Sequence, residues 1–96
     1  MTEPVTFPFF APGRIVATPG AMAKLTPEDM VAALKRHGSG DWGTCDAEDK
    51  HANDMALLDG GRLLSVYPLP GDAKESFWII TEADRSATTF LLPEEY

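Results

Sequence analysis

Apolar and polar positions in this chain change period once, near residue 60. Before that point apolar residues recur three and four apart, and after it they form short, nearly continuous runs broken by turn residues. Met30, Val31 and Leu34 mark the first helical stretch. Thr26-Pro27-Glu28-Asp29 predicts its start: a capping residue, a proline at the first helical position, then acids at the positive end of the helix dipole. Lys35, Arg36 and His37 suit its last turn, and Gly38 stops it. Asp46 predicts the cap of a second helix, on which Ala47, His51, Met55 and Leu58 share one stripe, widened by Ala52 and Ala56. That stripe is expected to face the core, and Asp59-Gly60-Gly61 to end the helix.

The second half reads as strands. Arg62–Tyr67 and Phe77–Thr81 are strand-compatible runs joined by a turn-rich connection over Pro68–Lys74. A short turn over Ala83–Ser86 then leads into Ala87–Leu92, which Pro93 closes. Upstream, Glu3–Gly13 holds three prolines and three phenylalanines and is not helical. Arg14–Ala17 suits a short edge strand, and Thr18-Pro19 a single turn through Leu25. Helices followed by strands, without strand–helix alternation, predict an α+β domain: two helices packed on a three- to four-stranded antiparallel sheet. The expected organisation is a single domain, 1–96, with an extended arm (1–13), a short strand and helices (14–59) and the sheet (62–92). The Phe-rich arm is the expected cover for the sheet's second face.

Ninety-six residues, 44% hydrophobic, support one core and no large internal cavity, so a ligand site would be a surface groove. No apolar run is long enough to span a bilayer, and the amino-terminal residues lack the pattern of a signal peptide, so no membrane association and a cytoplasmic location are expected. The single cysteine, Cys45, fits a reducing compartment and an inert thiol. A formal charge of −7 opposes direct nucleic-acid binding, because neutralising phosphates takes clustered cations. Six acids (Asp41, Asp46, Glu48, Asp49, Asp54 and Asp59) face only Lys50 in one stretch, either as a solvated face or as a surface for a basic partner.

His37 beside Gly38-Ser-Gly-Asp-Trp-Gly43 is where a reading of acid–base chemistry starts, although a cation at a helix end already explains the position and is the better reading. Arg85 in the hairpin turn, with Ser86, Thr88 and Thr89 after it, offers donors for a phosphate. One cysteine, two distant histidines and irregular acids give no metal site, and the glycine loop lacks the Lys-Ser/Thr of a phosphate loop; no cofactor is expected. Trp42 in its glycine loop most often folds back to cover a core edge in such a setting, and it is the first candidate binding anchor if it does not. Trp78 reads as core, and Tyr67 and Tyr96 become anchors only if exposed.

Four segments, Gly13–Gly20, Arg36–Gly43, Gly61–Tyr67 and Trp78–Tyr96, together resemble a family of small proteins carried on bacterial plasmids and other integrated mobile elements. The resemblance implies a mobile-element setting, in which small proteins often interfere with host defence, some as acidic mimics of nucleic acid. With the charge, it makes a non-enzymatic acidic binding module the leading expectation, with Asp41, Trp42, Asp46, Glu48, Asp49 and Asp54 as the partner-binding residues. The expected partner is a protein, a basic nucleic-acid-binding component of host defence that this chain would inhibit in an anti-CRISPR or anti-restriction role. The architecture is also similar to barnase-like and RelE-like ribonuclease toxins. That likeness implies a metal-independent ribonuclease with His37 as acid or base, Arg85 on the phosphate and Thr88 positioning it. A monomer, or a homodimer paired through the Arg14 edge strand, is expected.

Overall fold

The computed structural model of the protein describes residues 5–96, so residues 1–4 of the predicted arm lie outside the described residues. Among the described residues, three α-helices and four strands make an α+β fold. The helices are α1 (Pro19–Lys24), α2 (Pro27–Gly38) and α3 (Ala47–Asp59); the strands are β1 (Arg14–Ala17), β2 (Leu63–Leu69), β3 (Asp72–Thr81) and β4 (Ala87–Leu91).

The predicted caps form. Thr26 and Asp29 build a reciprocal capping box at the start of α2: the Asp29 N–H donates to the Thr26 hydroxyl at 3.1 Å, and the Thr26 N–H to the Asp29 carboxylate at 2.9 Å. Asp46 caps α3 by accepting from the Asp49 N–H at 2.8 Å, and Gly60 ends it with φ 85°. Thr18 and Pro19 start α1, a short helix where a single turn was expected.

The sheet order is β1-β4-β3-β2, with β2–β3 and β3–β4 antiparallel and β1 parallel to β4. The sheet is therefore mixed, and the all-antiparallel expectation is corrected at β1. All three helices and the β2–β3 hairpin separate β1 from β4 in the chain, so no tight turn forces the two to run in opposite directions. The connection over Pro68–Lys74 is also tighter than expected. Leu69 pairs with Asp72, leaving a two-residue Pro70-Gly71 turn in which proline presets φ and Gly71 takes φ 82°.

Strand periodicity assigns the two faces. Leu63, Ser65 and Tyr67 lie beside Phe77, Ile79 and Thr81, and these beside Thr88 and Phe90, on one face. Ala21 and Leu25 from the α1 end and Ala33 of α2 join Tyr67, Phe77, Ile79 and Phe90 there in the main core. The Phe-rich arm lies on this same face: the Phe10 ring meets His37 edge-on at 5.5 Å, and Phe7 packs on Phe10 at 5.5 Å. The arm therefore does not cover the second face. That face, carrying Leu64, Val66, Trp78 and Ile80, is bordered by α3 and by Tyr96. Glu95 fixes the chain just before Tyr96 by accepting from the Thr18 hydroxyl (2.5 Å), the Gly20 N–H (3.0 Å) and the Leu92 N–H (2.9 Å).

The two sheet edges differ. Along β2, the Val66 N–H donates to the Trp42 carbonyl (3.1 Å) and the Thr44 N–H to the Val66 carbonyl (2.7 Å), so the glycine loop acts as a short extra strand. Gly43 is required there. It has φ 77°, and a Cβ would collide with the Val66 carbonyl. At the far edge, Arg14 and Thr18 bond inward to Ser86 and Phe90, which turns the backbone groups of Ile15 and Ala17 outward.

Candidate functional site

His37 sits at the centre of a buried polar chain. With no exposed surface, it contacts the Ser65 hydroxyl through Nδ1 at 2.6 Å and the Thr81 hydroxyl through Nε2 at 2.9 Å. Thr81 in turn meets Thr88 at 2.8 Å, and the Thr88 hydroxyl donates to the Pro12 carbonyl at 2.7 Å. The carbonyl at the end fixes every proton in the series. Thr88 gives its proton to Pro12, so Thr81 gives its own to Thr88 and accepts from His37. Nε2 therefore carries the imidazole proton, and Nδ1 accepts from Ser65. Burial alone lowers the His37 pKa to about 4, which keeps the ring neutral. Edge-on aromatic contacts continue from Phe10 through His37 to Trp42 at 5.5 and 5.6 Å.

Arg85 stands apart from this chain. In the β3–β4 turn at φ 61°, it aims its guanidinium at three carbonyls: Gly61 (2.6 Å), Glu82 (3.2 Å) and Ala56 (3.2 Å). Two of them belong to the carboxyl end of α3 and the glycines after it, where a cation complements the helix dipole. The structure thus links His37 to Thr88 through Thr81 inside the core and gives Arg85 a capping task elsewhere. The three do not line one groove, because His37 has no surface from which to line it.

Most of the predicted binding residues also hold structure. Trp42 is 3% exposed, packs with Cys45, Ala56 and Leu63, and donates from Nε1 to Asp54 at 2.9 Å. Its expected role as an exposed anchor is corrected: the glycine loop folds back and seats the indole in the core. Asp41 takes two bonds from Arg36 (2.7 and 3.3 Å) and one from the Gly43 N–H (3.1 Å). The Arg36 bond holds its carboxyl below the usual range. Asp46 is a helix cap. Glu48 and Asp49 are exposed and enter no ion pair among the described residues. Cys45 is buried against the Leu64 carbonyl, and desolvation pushes its thiol pKa up.

α3 is rotated relative to the expectation from its apolar stripe. Its buried positions are Asn53 and Ala56, while Leu58 is 82% and Met55 45% exposed, with Ala47 and His51 also on the surface. The reason is Asn53, whose amide bonds both backbone groups of Leu64 at 2.7 and 3.0 Å and so completes the closure of the β2 edge. Turning that side inward sends the stripe outward, between Glu48 and Asp59 on one flank and Asp54 on the other.

Beside the helix, on the less covered face of the sheet, lies a groove of about 330 Å³. α3 supplies Asp49, Ala52 and Asn53, the sheet supplies Leu64, Trp78 and Ile80, and Arg62 and Tyr96 complete the lining. Trp78 and Tyr96 meet edge-on at 5.5 Å, and the Arg62 guanidinium lies 5.0 Å from the centre of the Tyr96 ring. Sequence reasoning took Trp78 for core and gave Arg62 no part. The alternation of Leu64 with Ser65 and of Trp78 with Phe77 carries the signal that splits these residues between faces.

Among the described residues, no group of three or more His, Cys, Asp or Glu side chains is placed to hold a metal ion, and no helix is long and apolar enough to cross a membrane. No protein-family model matches the chain, and comparison with curated proteins and with solved structures returns no match.

Proposed function

We propose that this protein is a non-enzymatic binding module, an accessory protein of a mobile element, that engages a basic protein partner through the outward face of α3. One observation carries the reading: an apolar stripe, Met55 and Leu58, stands in solvent on a helix flanked by carboxylates. An apolar centre with a charged rim is the layout of a protein interface, and acids on that rim favour a partner whose matching surface is basic. A nucleic-acid-binding component of a host defence system has such a surface, which is the anti-CRISPR or anti-restriction role in its concrete form. The net charge of −7 argues against nucleic acid itself as the ligand.

The ribonuclease alternative draws no support from the geometry, because its base would be a histidine without exposed surface. The test of the binding reading is capture of partners from bacterial host lysate by the wild type, by a variant carrying amides at Asp46, Glu48, Asp49 and Asp54, and by Leu58→Ser. A specific basic protein retained by the wild type and lost from both variants supports the reading. Identical profiles from all three would sink it.

A further inference from the structure

The groove between α3 and Tyr96 is lined in part by Asn53 and Leu64, the pair that closes the β2 edge, and carries beyond them Asp49, Ala52, Trp78 and Tyr96, which that closure does not use. Its floor is apolar, from Leu64, Ile80 and Ala52, and two aromatic residues line it. About 330 Å³ lies at the lower end of the range for ligand pockets and suits one large side chain with a little of its backbone rather than a nucleotide-sized cofactor. We propose that this groove receives an aromatic side chain of the partner, flanked by a basic residue that meets Asp49.

Three features select that occupant. Trp78 and Tyr96 are arranged edge-to-face at 5.5 Å, and a third ring between them and the Leu64–Ile80 floor extends the same geometry. The Asp49 carboxylate, exposed and outside any ion pair among the described residues, continues the acid row of α3 to the groove rim, which fits a cation next to the buried ring. The Arg62 guanidinium lies over Tyr96 and repels a second cation there, which favours a base at the Asp49 carboxylate instead. The identity of the partner as a basic protein rests on the binding-module reading; the shape and chemistry of the groove do not.

The experiment is a titration of the isotope-labelled 96-residue chain with the capped tripeptide Lys-Phe-Lys and with Lys-Ser-Lys and Glu-Phe-Glu as controls, followed by NMR. The expected result is shift changes centred on Ala52, Leu64, Trp78 and Tyr96. Loss of the aromatic anchor weakens binding about tenfold, and reversal of the flanking charge weakens it several-fold. Ala52→Trp, at an exposed position of α3, fills the groove and weakens Lys-Phe-Lys about tenfold at unchanged Tm. Tyr96→Ala, also at an exposed site, gives a comparable loss without touching α3. Equal binding of Lys-Ser-Lys, shifts confined to the outward face of α3, wild-type affinity in both variants, or no saturable binding would each overturn the proposal. Phe9 of the arm is 58% exposed, and self-association of the protein that Phe9→Ser abolishes, with the groove residues shifted, would overturn it in favour of a second copy as occupant. Amides at Glu48 and Asp54, both outside the groove, separate the two readings: they abolish partner capture if the module reading holds and leave tripeptide binding unchanged.

Discussion

Asn53 holds both backbone groups of Leu64 with one side-chain amide, Nδ2 donating to the carbonyl at 2.7 Å and Oδ1 accepting the N–H at 3.0 Å. An asparagine on a helix thus completes the sheet edge that the Trp42–Thr44 segment pairs at Val66. Asn53→Ala leaves the Leu64 N–H without a partner and its carbonyl with only the weak Cys45 thiol contact, and is expected to cost about 2 kcal/mol. Asn53→Asp loses the donor and places a carboxylate against the Leu64 carbonyl, with a cost at least as large. Urea unfolding at neutral pH checks both, and a loss within about 0.5 kcal/mol of the wild type, the range of ordinary surface changes, would contradict the role.

This contact also shows where the sequence stops being legible. The start of α2 was readable from Thr26 to Asp29 because a capping box is local, and the terminal hairpin was readable because its strands lie a few residues apart. The orientation of α3 was not, since the apolar stripe through Met55 and Leu58 points one way and the hydrogen bonds of Asn53 require the other. Satisfying a buried backbone pair prevailed over hiding two apolar side chains, whose exposure costs less when a partner covers them. The parallel pairing of β1 with β4 was hidden for a related reason: no local signal joins residues more than seventy positions apart. Of the candidate site, the exposed carboxylates Glu48 and Asp49 were legible from charge alone, whereas the groove required knowing which face Trp78 takes.

The buried His37 gives stability a defined pH dependence. The unfolded chain takes up its proton as pH falls through about 6.5, whereas the native ring resists until about 4. Between these values the unfolded state binds more protons, so stability is full above the upper value, falls as pH falls and levels off below the lower one. The contribution is about 3 kcal/mol across that window. Urea unfolding of the wild type and of His37→Gln from pH 7 to pH 4 isolates it, because titrating carboxylates contribute equally to both. An unchanged difference between the two proteins across the window would refute the assignment. NMR of the ring nitrogens checks the tautomer, with the proton expected on Nε2.

Arg85 combines a left-handed backbone with three carbonyl contacts, and substitutions separate the two. Arg85→Ala loses the contacts and keeps the positive φ, while Arg85→Gly loses the contacts and relieves the backbone by about 1 kcal/mol. The expected order of stability is wild type, then Gly, then Ala, with the Ala variant down by about 2 kcal/mol. Thermal melts of the three proteins settle the order, and Ala above Gly would mean that the turn carries no strain.

Trp42 and Asp54 bear directly on how the acidic surface is probed. The indole is 3% exposed and its N–H donates to Asp54 at 2.9 Å, so Asp54 belongs both to the flank of the outward stripe and to the seating of Trp42 against Cys45, Ala56 and Leu63. Asp54→Ala removes the acceptor of a buried donor and is expected to cost about 1.5 kcal/mol. Asp54→Asn keeps an acceptor oxygen at the same reach and costs less than half of that, while still removing the charge. Partner binding lost in Asp54→Ala alone would report on Trp42 rather than on electrostatics, whereas loss in Asp54→Asn reports on charge. Acrylamide quenching distinguishes the two: Trp78 is partly accessible in every variant, so a new quenchable component in Asp54→Ala, absent from Asp54→Asn, marks the release of Trp42. Equal quenching of both variants and the wild type would show that the Asp54 contact does not hold the indole in place.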